Sequence, residues 1–566
     1  MTAPLPHRAI AKANRKADFP TMAWHTLLLF FMGFALVTGL RLAFDHAKGG
    51  WRAALEPIML QGDVVRWHVW ASIALTGLVA GYIAFLVKAR LAARWKVSKV
   101  MLKAPVKAAR WQAINRAVYW LGLATFVVAV LSGIWLYFLP FFGWLELVGY
   151  VHEIASWALV AYMLIHVIAQ FVMGGIWQLL KIFIPRFDLL QAGAVMGVAG
   201  VSGALGFAAL DWSATRDLVA AKADTAPLVD GKLDDAVWQN AQKQMVYTSH
   251  GWNVAGGETP IEVRAAVHSD RIYIATSWPD DTRSYMRLPL KKTAQGWVRM
   301  IGDDPRHTYD GADTIDYYED KFAIAISPKQ NPFGGGWHFG PDPLPGVKKP
   351  LQGRGYHFTD DASVVDLWHW KASRTGATGQ AEDSLFGPPV PYDPVKHEVR
   401  YPAGYVSDKK DKDSGYQDNF AKGPHGWSVN WPSRIVTPKY LPRDLTKLQA
   451  RLGTSQSPYE SHGSEFNMGP DEIVPYSKEL DDKIPVGTLI PALYWKKPMS
   501  GPAGDVAARG YWQNGRWTVE FSRKLDAPDT QDVAIKDGVY LWFAAFNHNQ
   551  TRHSWHILPV RLRLPH

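Results

Sequence analysis

Apolar residues fall along this chain in two rhythms, and the change near residue 210 divides it in two. Before that point, apolar runs from Trp24 to Phe44, Arg66 to Val87, Ala117 to Phe142 and Tyr150 to Gly174 come near or exceed the roughly 20 residues that a bilayer core demands. A fifth run, Gln191 to Leu210, is built from Gly and Ala. Its Gly193, Gly197, Gly200, Gly203 and Gly206 suit close helix packing. After a linker over 213–226 the rhythm becomes alternation. IEVRAAVHSDRIYIATSW reads as two strands around a His-Ser-Asp turn, and WTVEFSRKL and GVYLWFAAF as further strands. Gly, Pro and Asp crowd residues 331–430, which predicts long loops. The expected architecture is an all-α transmembrane four-helix bundle over 1–190, a fifth transmembrane helix over 191–212, the linker, and an all-β sandwich with long loops over 227–566.

Charge orients these spans. Arg8, Lys12, Arg15 and Lys16 precede the first run without a leader cleavage site. Lys88, Arg90, Arg94, Lys96, Lys99, Lys103, Lys107 and Arg110 fill the second connection, and Lys181 and Arg186 follow the fourth run. All lie on one side if the chain starts in the cytoplasm, the side that basic loops favour. Five spans then put the domain after residue 211 in the periplasm of a bacterial inner membrane. If the Gly/Ala run does not cross, that domain is cytoplasmic. The net charge of +10 is concentrated beside apolar runs, so it predicts contact with a lipid bilayer and not with nucleic acid. The chain has no cysteine, which excludes disulfides, thiolate iron–sulfur clusters, thioether-bound haem and cysteine nucleophiles. Any redox centre must use His, Met, Lys, Tyr or carboxylates.

Histidines supply one. Four lie inside predicted spans: His25, His68, His152 and His166. A single intramembrane histidine is often satisfied by a neighbouring helix, but these four form a pattern. His152 and His166 are 14 residues apart, within about 40° of one helix face and about 21 Å apart along its axis. Given the alternating directions of the spans, His25 and His166 share the inner depth, and His68 and His152 the outer. Two bis-imidazole haems stacked through a four-helix bundle follow.

Over residues 18–190 the chain resembles the four-helix di-haem cytochrome b family that includes formate dehydrogenase gamma subunits and nickel–iron hydrogenase cytochrome b subunits. The resemblance rests on the early histidines of spans one and two and on HEIASWALVAYMLIH. It implies two haems b with the same pairing, and quinone exchange near the inner haem at the start of the third helix. Asn115 and Arg116 in QAINRAVYW are the matching quinone candidates, together with His166. The plainer alternative for both is an interfacial anchor.

The outer half resembles the haem-binding gamma subunit of ethylbenzene dehydrogenase through LVDGKLDDAVWQNA, ATSWPDDT, YYEDKFAIAISP and VVDLWHWKASRTG. That resemblance implies a third haem b held between a methionine and a lysine. Lys371 matches the lysine and Met286 the methionine, with Met300 and Met468 as competitors. His369, two residues before Lys371 on a strand, shares its face and is the alternative ligand. For Lys371 the plain alternative is an exposed strand-end lysine. LVDGKLDDAVW also resembles carbohydrate-binding modules of the sandwich type, whose tryptophans would stack on sugars. His548, His553 and His556 read as exposed loop histidines, and DKKDKDSGYQD as a solvated loop without the closing acid of an EF-hand.

The expected function is an electron-transfer subunit: quinone at the inner haem, then the outer membrane haem, then a third haem and a periplasmic partner. By analogy the partner is a molybdenum oxidoreductase or a soluble c-type cytochrome. The rival is a cytochrome b fused to a sugar- or ligand-binding module with no third haem. A terminal reductase is disfavoured because a Met–Lys pair would fill both axial positions.

Overall fold

The computed structural model describes residues 19–46, 64–88, 107–183 and 189–565, together with positions 60, 90, 97, 103 and 105. Within these ranges it excludes 255–256, 302–315, 334–357, 360, 362, 389–403, 421–434, 454, 527–529 and 551–552. The basic N-terminal tail, most of the second connection, Arg186 and much of 331–430 therefore lie outside the described residues. The chain forms two compact units, residues 1–139 with 147–214, and residues 140–146 with 215–566.

The first unit contains α1 (Phe19–His46), α2 (Val64–Lys88), α3 (Lys107–Phe138), α4 (Leu145–Phe183) and α5 (Leu189–Ala214). Within α1 to α4, four stretches are long and apolar enough to cross a membrane: Ala23–Ala43, Val64–Lys88, Arg110–Phe138 and Leu145–Met173. The third ends four residues before its expected limit because Pro140 lacks the amide hydrogen that would continue it. Leu27, Phe31 and Ala35 of α1 pack with Ala71, Ala74, Leu75 and Leu78 of α2, Phe126 and Ala129 of α3, and Ala155 and Leu159 of α4. Leu121, Leu131, Leu164, Ile168 and Phe171 point outward, the arrangement expected of helices solvated by lipid.

α5 packs along α2. An added Cβ at Gly203 would lie 3.2 Å from the Ala74 Cβ, and the Trp70 indole donates to the Gly200 carbonyl at 3.4 Å. One end is clamped: Asp211 accepts from the Tyr137 hydroxyl at 2.9 Å and pairs with Arg66 at 3.4 Å. Gly203 beside Ala74 and Asp211 beside Arg66 make α5 antiparallel to α2.

The second unit is built on two sheets. Their strands are β1 (Arg216–Val219), β2 (Ala221–Lys222), β3 (Gln244–Thr248), β4 (Thr259–His268), β5 (Arg271–Pro279), β6 (Lys321–Ser327), β7 (Val365–Lys371), β8 (Glu382–Phe386), β9 (Tyr405–Ser407), β10 (Ala507–Gln513), β11 (Arg516–Lys524), β12 (Tyr540–Phe546) and β13 (Val560–Arg563). One sheet has the order β1-β13-β12-β6-β7-β8-β9; the other is β10-β11-β5-β4-β2, with β3 also on β4. Ile261, Val263, Ile274 and Trp278 of the second sheet meet Phe322, Ile324, Trp368 and Phe543 of the first in one core, with Trp278 and Phe322 ring centres 4.6 Å apart. The architecture is a sandwich. The other face of the seven-stranded sheet is also buried, by a cluster of Ala323, Ala325, Val365, Leu367, Phe386, Trp542 and Phe546. Burial on both faces explains why KFAIAIS is almost continuously apolar.

The segment 213–226 corrects one expectation. It is not a free linker, since β1 and β2 lie in it and extend both sheets by parallel pairing, with β13 and β4 respectively.

Candidate functional site

The four membrane histidines come together in the two expected pairs. His68 and His152 have ring centres 6.1 Å apart and perpendicular planes, and His25 and His166 have ring centres 6.3 Å apart at 29°. Each pair joins one histidine of the α1–α2 hairpin to one on α4.

Hydrogen bonds orient the rings. His68 Nδ1 lies 3.0 Å from the Ala35 carbonyl and 3.1 Å from the Thr38 hydroxyl. His152 Nδ1 lies 2.9 Å from both the Ala129 carbonyl and the Ser132 hydroxyl. A carbonyl only accepts, so Nδ1 carries the hydrogen in both rings and the lone pair is on Nε2. In the other pair, His166 Nδ1 donates to the Asn115 side-chain oxygen at 3.0 Å, while His25 Nδ1 is buried without a partner among the described residues. Tyr119 and Tyr162 flank His166, with ring centres 5.3 and 5.9 Å from it. Asn115 is buried and engaged with His166; Arg116 is half-buried on the next position of α3.

These pairs fit a haem. Two imidazoles bound through nitrogen to one metal at about 2.0–2.1 Å, with the nitrogen about 1.1 Å from the ring centre, put the ring centres roughly 6.3 Å apart. Beside His68 and His152 the helices also carry glycines. A Cβ at Gly39 would come within 3.1 Å of the His68 Cε1, and one at Gly133 within 3.2 Å of the His152 Cε1. The sequence held a signal for this support that the histidine pattern alone does not reveal: ALVTG (35–39) in α1 recurs as AVLSG (129–133) in α3.

In the second unit, Lys371 is not an exposed strand-end lysine; it is buried at the end of β7, with its Nζ in contact with the Glu382 carboxyl group. The cluster around it is densely charged. Arg374 pairs with Glu319, Arg287 with Asp418 at 2.9 Å, and the Tyr416 hydroxyl donates to Glu382 at 3.3 Å. Burial, reinforced by Arg374 and Lys321, pushes the Lys371 amine well below its ordinary range. His369 shares the face, stacks on Phe546 at 5.3 Å and leaves Nε2 unbonded; burial and then Lys371 keep the ring neutral. An amine or imidazole with an available lone pair is the form that can ligate iron.

Ser373, two residues after Lys371, ties both buried methionine segments to this turn. Its hydroxyl donates to the Tyr285 carbonyl and accepts from the Phe466 amide at 2.9 Å, and its carbonyl accepts from Asn467 at 2.7 Å. Met286 and Met468 are each next to one of these residues and fully buried in the same core, whereas Met300 is half-buried and outside that core. His548 and His556 are buried, contrary to the expectation of exposed loop histidines, and His553 is half-buried. His556 accepts from the Phe543 amide at 2.9 Å and donates to the Leu558 carbonyl at 2.7 Å, a core role rather than a metal one.

Residues 235–557 match the family model described as ethylbenzene dehydrogenase, and residues 16–186 match prokaryotic cytochrome b561. No curated protein matches the chain. Among solved structures, a putative carbohydrate-binding protein from Bacteroides uniformis is 8% identical, with 62% of this chain and 100% of that one aligned and a TM-score of 0.24. A family 9 carbohydrate binding module from Caldicellulosiruptor kristjanssonii, in complex with cellotriose or with glucose, is 7% identical at TM-score 0.21, with 62% of this chain and 93% or 96% of that one aligned. Alignments this loose bear on neither fold nor ligand. With more than half of its length matched to one family and its membrane half to the other, the chain belongs to the ethylbenzene dehydrogenase family and is a membrane-bound b-type cytochrome of electron transfer.

Proposed function

We propose that this chain carries electrons between quinone in a bacterial inner membrane and a periplasmic redox protein, through two membrane haems b and a third in the sandwich. The two imidazole pairs carry this reading, because their separations suit one iron each. His25 and His166 would bind the inner haem, His68 and His152 the outer. In the sandwich, Lys371 is the favoured ligand, with His369 as alternative and Met286 or Met468 opposite. The haems supply one-electron chemistry; the protein supplies ligands, orientation and a dry surrounding. Asn115 would orient His166, which leaves Arg116 as the quinone contact. The antiparallel packing of α5 on α2 supports a fifth span and hence a periplasmic sandwich. The partner class is a molybdenum oxidoreductase or a soluble c-type cytochrome.

The sugar-binding reading needs exposed tryptophans. Among the described residues from 215 onward none is exposed, and Trp238, Trp278, Trp368, Trp370 and Trp517 are wholly buried. The test is the ratio of haem b to protein in the detergent-purified chain, by pyridine haemochrome. Three haems are expected, falling to two in Lys371→Ala and to two in His68→Ala. A ratio of two that Lys371→Ala leaves unchanged would make the sandwich a binding module; a ratio near zero in folded protein would end the electron-transfer reading.

A further inference from the structure

The two membrane pairs differ in how their rings are held. At His68 and His152 the support is duplicated. Thr38 is three residues after Ala35, and Ser132 three after Ala129, so each hydroxyl sits one helical turn past the carbonyl that receives the imidazole hydrogen. Each hydroxyl spends its own hydrogen on the helix behind it: Thr38 donates to the Phe34 carbonyl at 2.8 Å, and Ser132 to the Val128 carbonyl at 2.7 Å. Its oxygen lone pairs are thereby turned toward Nδ1. The Nδ1 hydrogen of each ring has two acceptors, and the following glycine lets the ring approach the helix. At the other pair neither feature is present among the described residues: His166 has one side-chain amide, and the His25 Nδ1 has no partner among them.

We propose that Thr38 and Ser132 are positioning residues that set the potential of the haem on His68 and His152, and leave the haem on His25 and His166 untouched. This rests on the reading of those histidines as ligands. A hydrogen-bond acceptor on Nδ1 fixes the ring and increases its electron donation through Nε2, which stabilises the ferric state. Two acceptors on each of two ligands lower that haem's potential relative to one held by a single amide. The repeat ALVTG/AVLSG thus makes the two membrane centres unequal although all four ligands are histidines.

Redox titration of the purified full chain, followed in the haem α-band and by electron paramagnetic resonance, tests this. Thr38→Val and Ser132→Ala are each expected to shift one membrane centre toward the ferrous state by about three- to tenfold in its equilibrium constant, at most about 59 mV for one electron. The other centre keeps its potential, haem content is unchanged, and Thr38→Ser restores the original value. Unmoved potentials in haem-replete variants, or equal shifts in both centres, would overturn the proposal. If Thr38→Val loses haem, Ser132→Ala, which removes one oxygen, decides alone. Failure of the ligand reading is separately visible, because His68→Ala would then retain all its haem.

Discussion

Glu520 shows how one residue explains a stretch of sequence. From β11 its carboxylate accepts the amides of Asp230 and Gly231 at 3.0 and 2.7 Å and the indole of Trp238 at 2.7 Å. LVDGKLDDAVW is therefore a fold-closing motif: Gly231 has φ +83°, and a Cβ there would meet the Tyr511 amide at 2.7 Å. Burial pushes Glu520 up to about 7. The folded state then holds a proton that the unfolded chain releases near 4.5, so this contribution is full below that pH and is lost as pH rises through 7. Melting temperature is expected to fall across that window, and Glu520→Gln to flatten the fall. Asn115 gives a second test. Asn115→Leu should alter the spectrum of the haem on His166, whereas a residue serving quinone alone would weaken quinol oxidation and leave the spectrum unchanged. At this scale the histidines were legible because charge-bearing residues inside apolar runs are rare. Taken singly, Thr38 and Ser132 were not, because a hydroxyl in a membrane helix usually bonds its own backbone; only the recurrence of ALVTG as AVLSG marks them.

Among the elements, helices were easier to foresee than strands. The four apolar runs became α1 to α4, with α3 starting ten residues earlier and α4 ending nine residues later than the apolar runs suggest, and the hairpin around His268-Ser269-Asp270 formed as β4 and β5. The 213–226 segment misled because β1 and β2 are short and owe their structure to partners far along the chain. The glycines of α5 divide by position. Gly203 faces Ala74, whereas nothing lies within 4 Å of a Cβ at Gly197. Gly203→Leu is expected to cost about 1–3 kcal/mol by overpacking, seen as a lower melting temperature in detergent, while Gly197→Leu leaves it unchanged.

For the molecule as a whole, orientation is the property that pattern alone suggests and that a direct measurement can establish. The absence of cysteine makes the chain a clean background for single introduced cysteines. Lys103 precedes α3, and Lys409 lies in the second unit; both are exposed. A membrane-impermeant maleimide applied to intact spheroplasts should label Lys409→Cys, and should label Lys103→Cys only after lysis. Labelling of both only after lysis would mean that α5 does not cross and that the sandwich is cytoplasmic. The ligands proposed for a third haem rest on family resemblance alone, since nothing in the spacing of Met286, Lys371 and Met468 announces that Ser373 stitches their segments together.

The seven-stranded sheet begins with β1 and finds its neighbour in β13, where Arg561 donates to Asp217 across 344 positions of sequence at 2.6 Å. A ribosome adding about 5–20 residues per second exposes β1 roughly 17 to 70 s before its partner exists. During that interval the membrane helices are already complete, so haem can be loaded there while the sandwich is still an open chain. The sandwich closes last, on residues 560–563. A nascent chain stalled before them presents an unpaired β1 edge to any quality-control protease or chaperone that reads exposed strands.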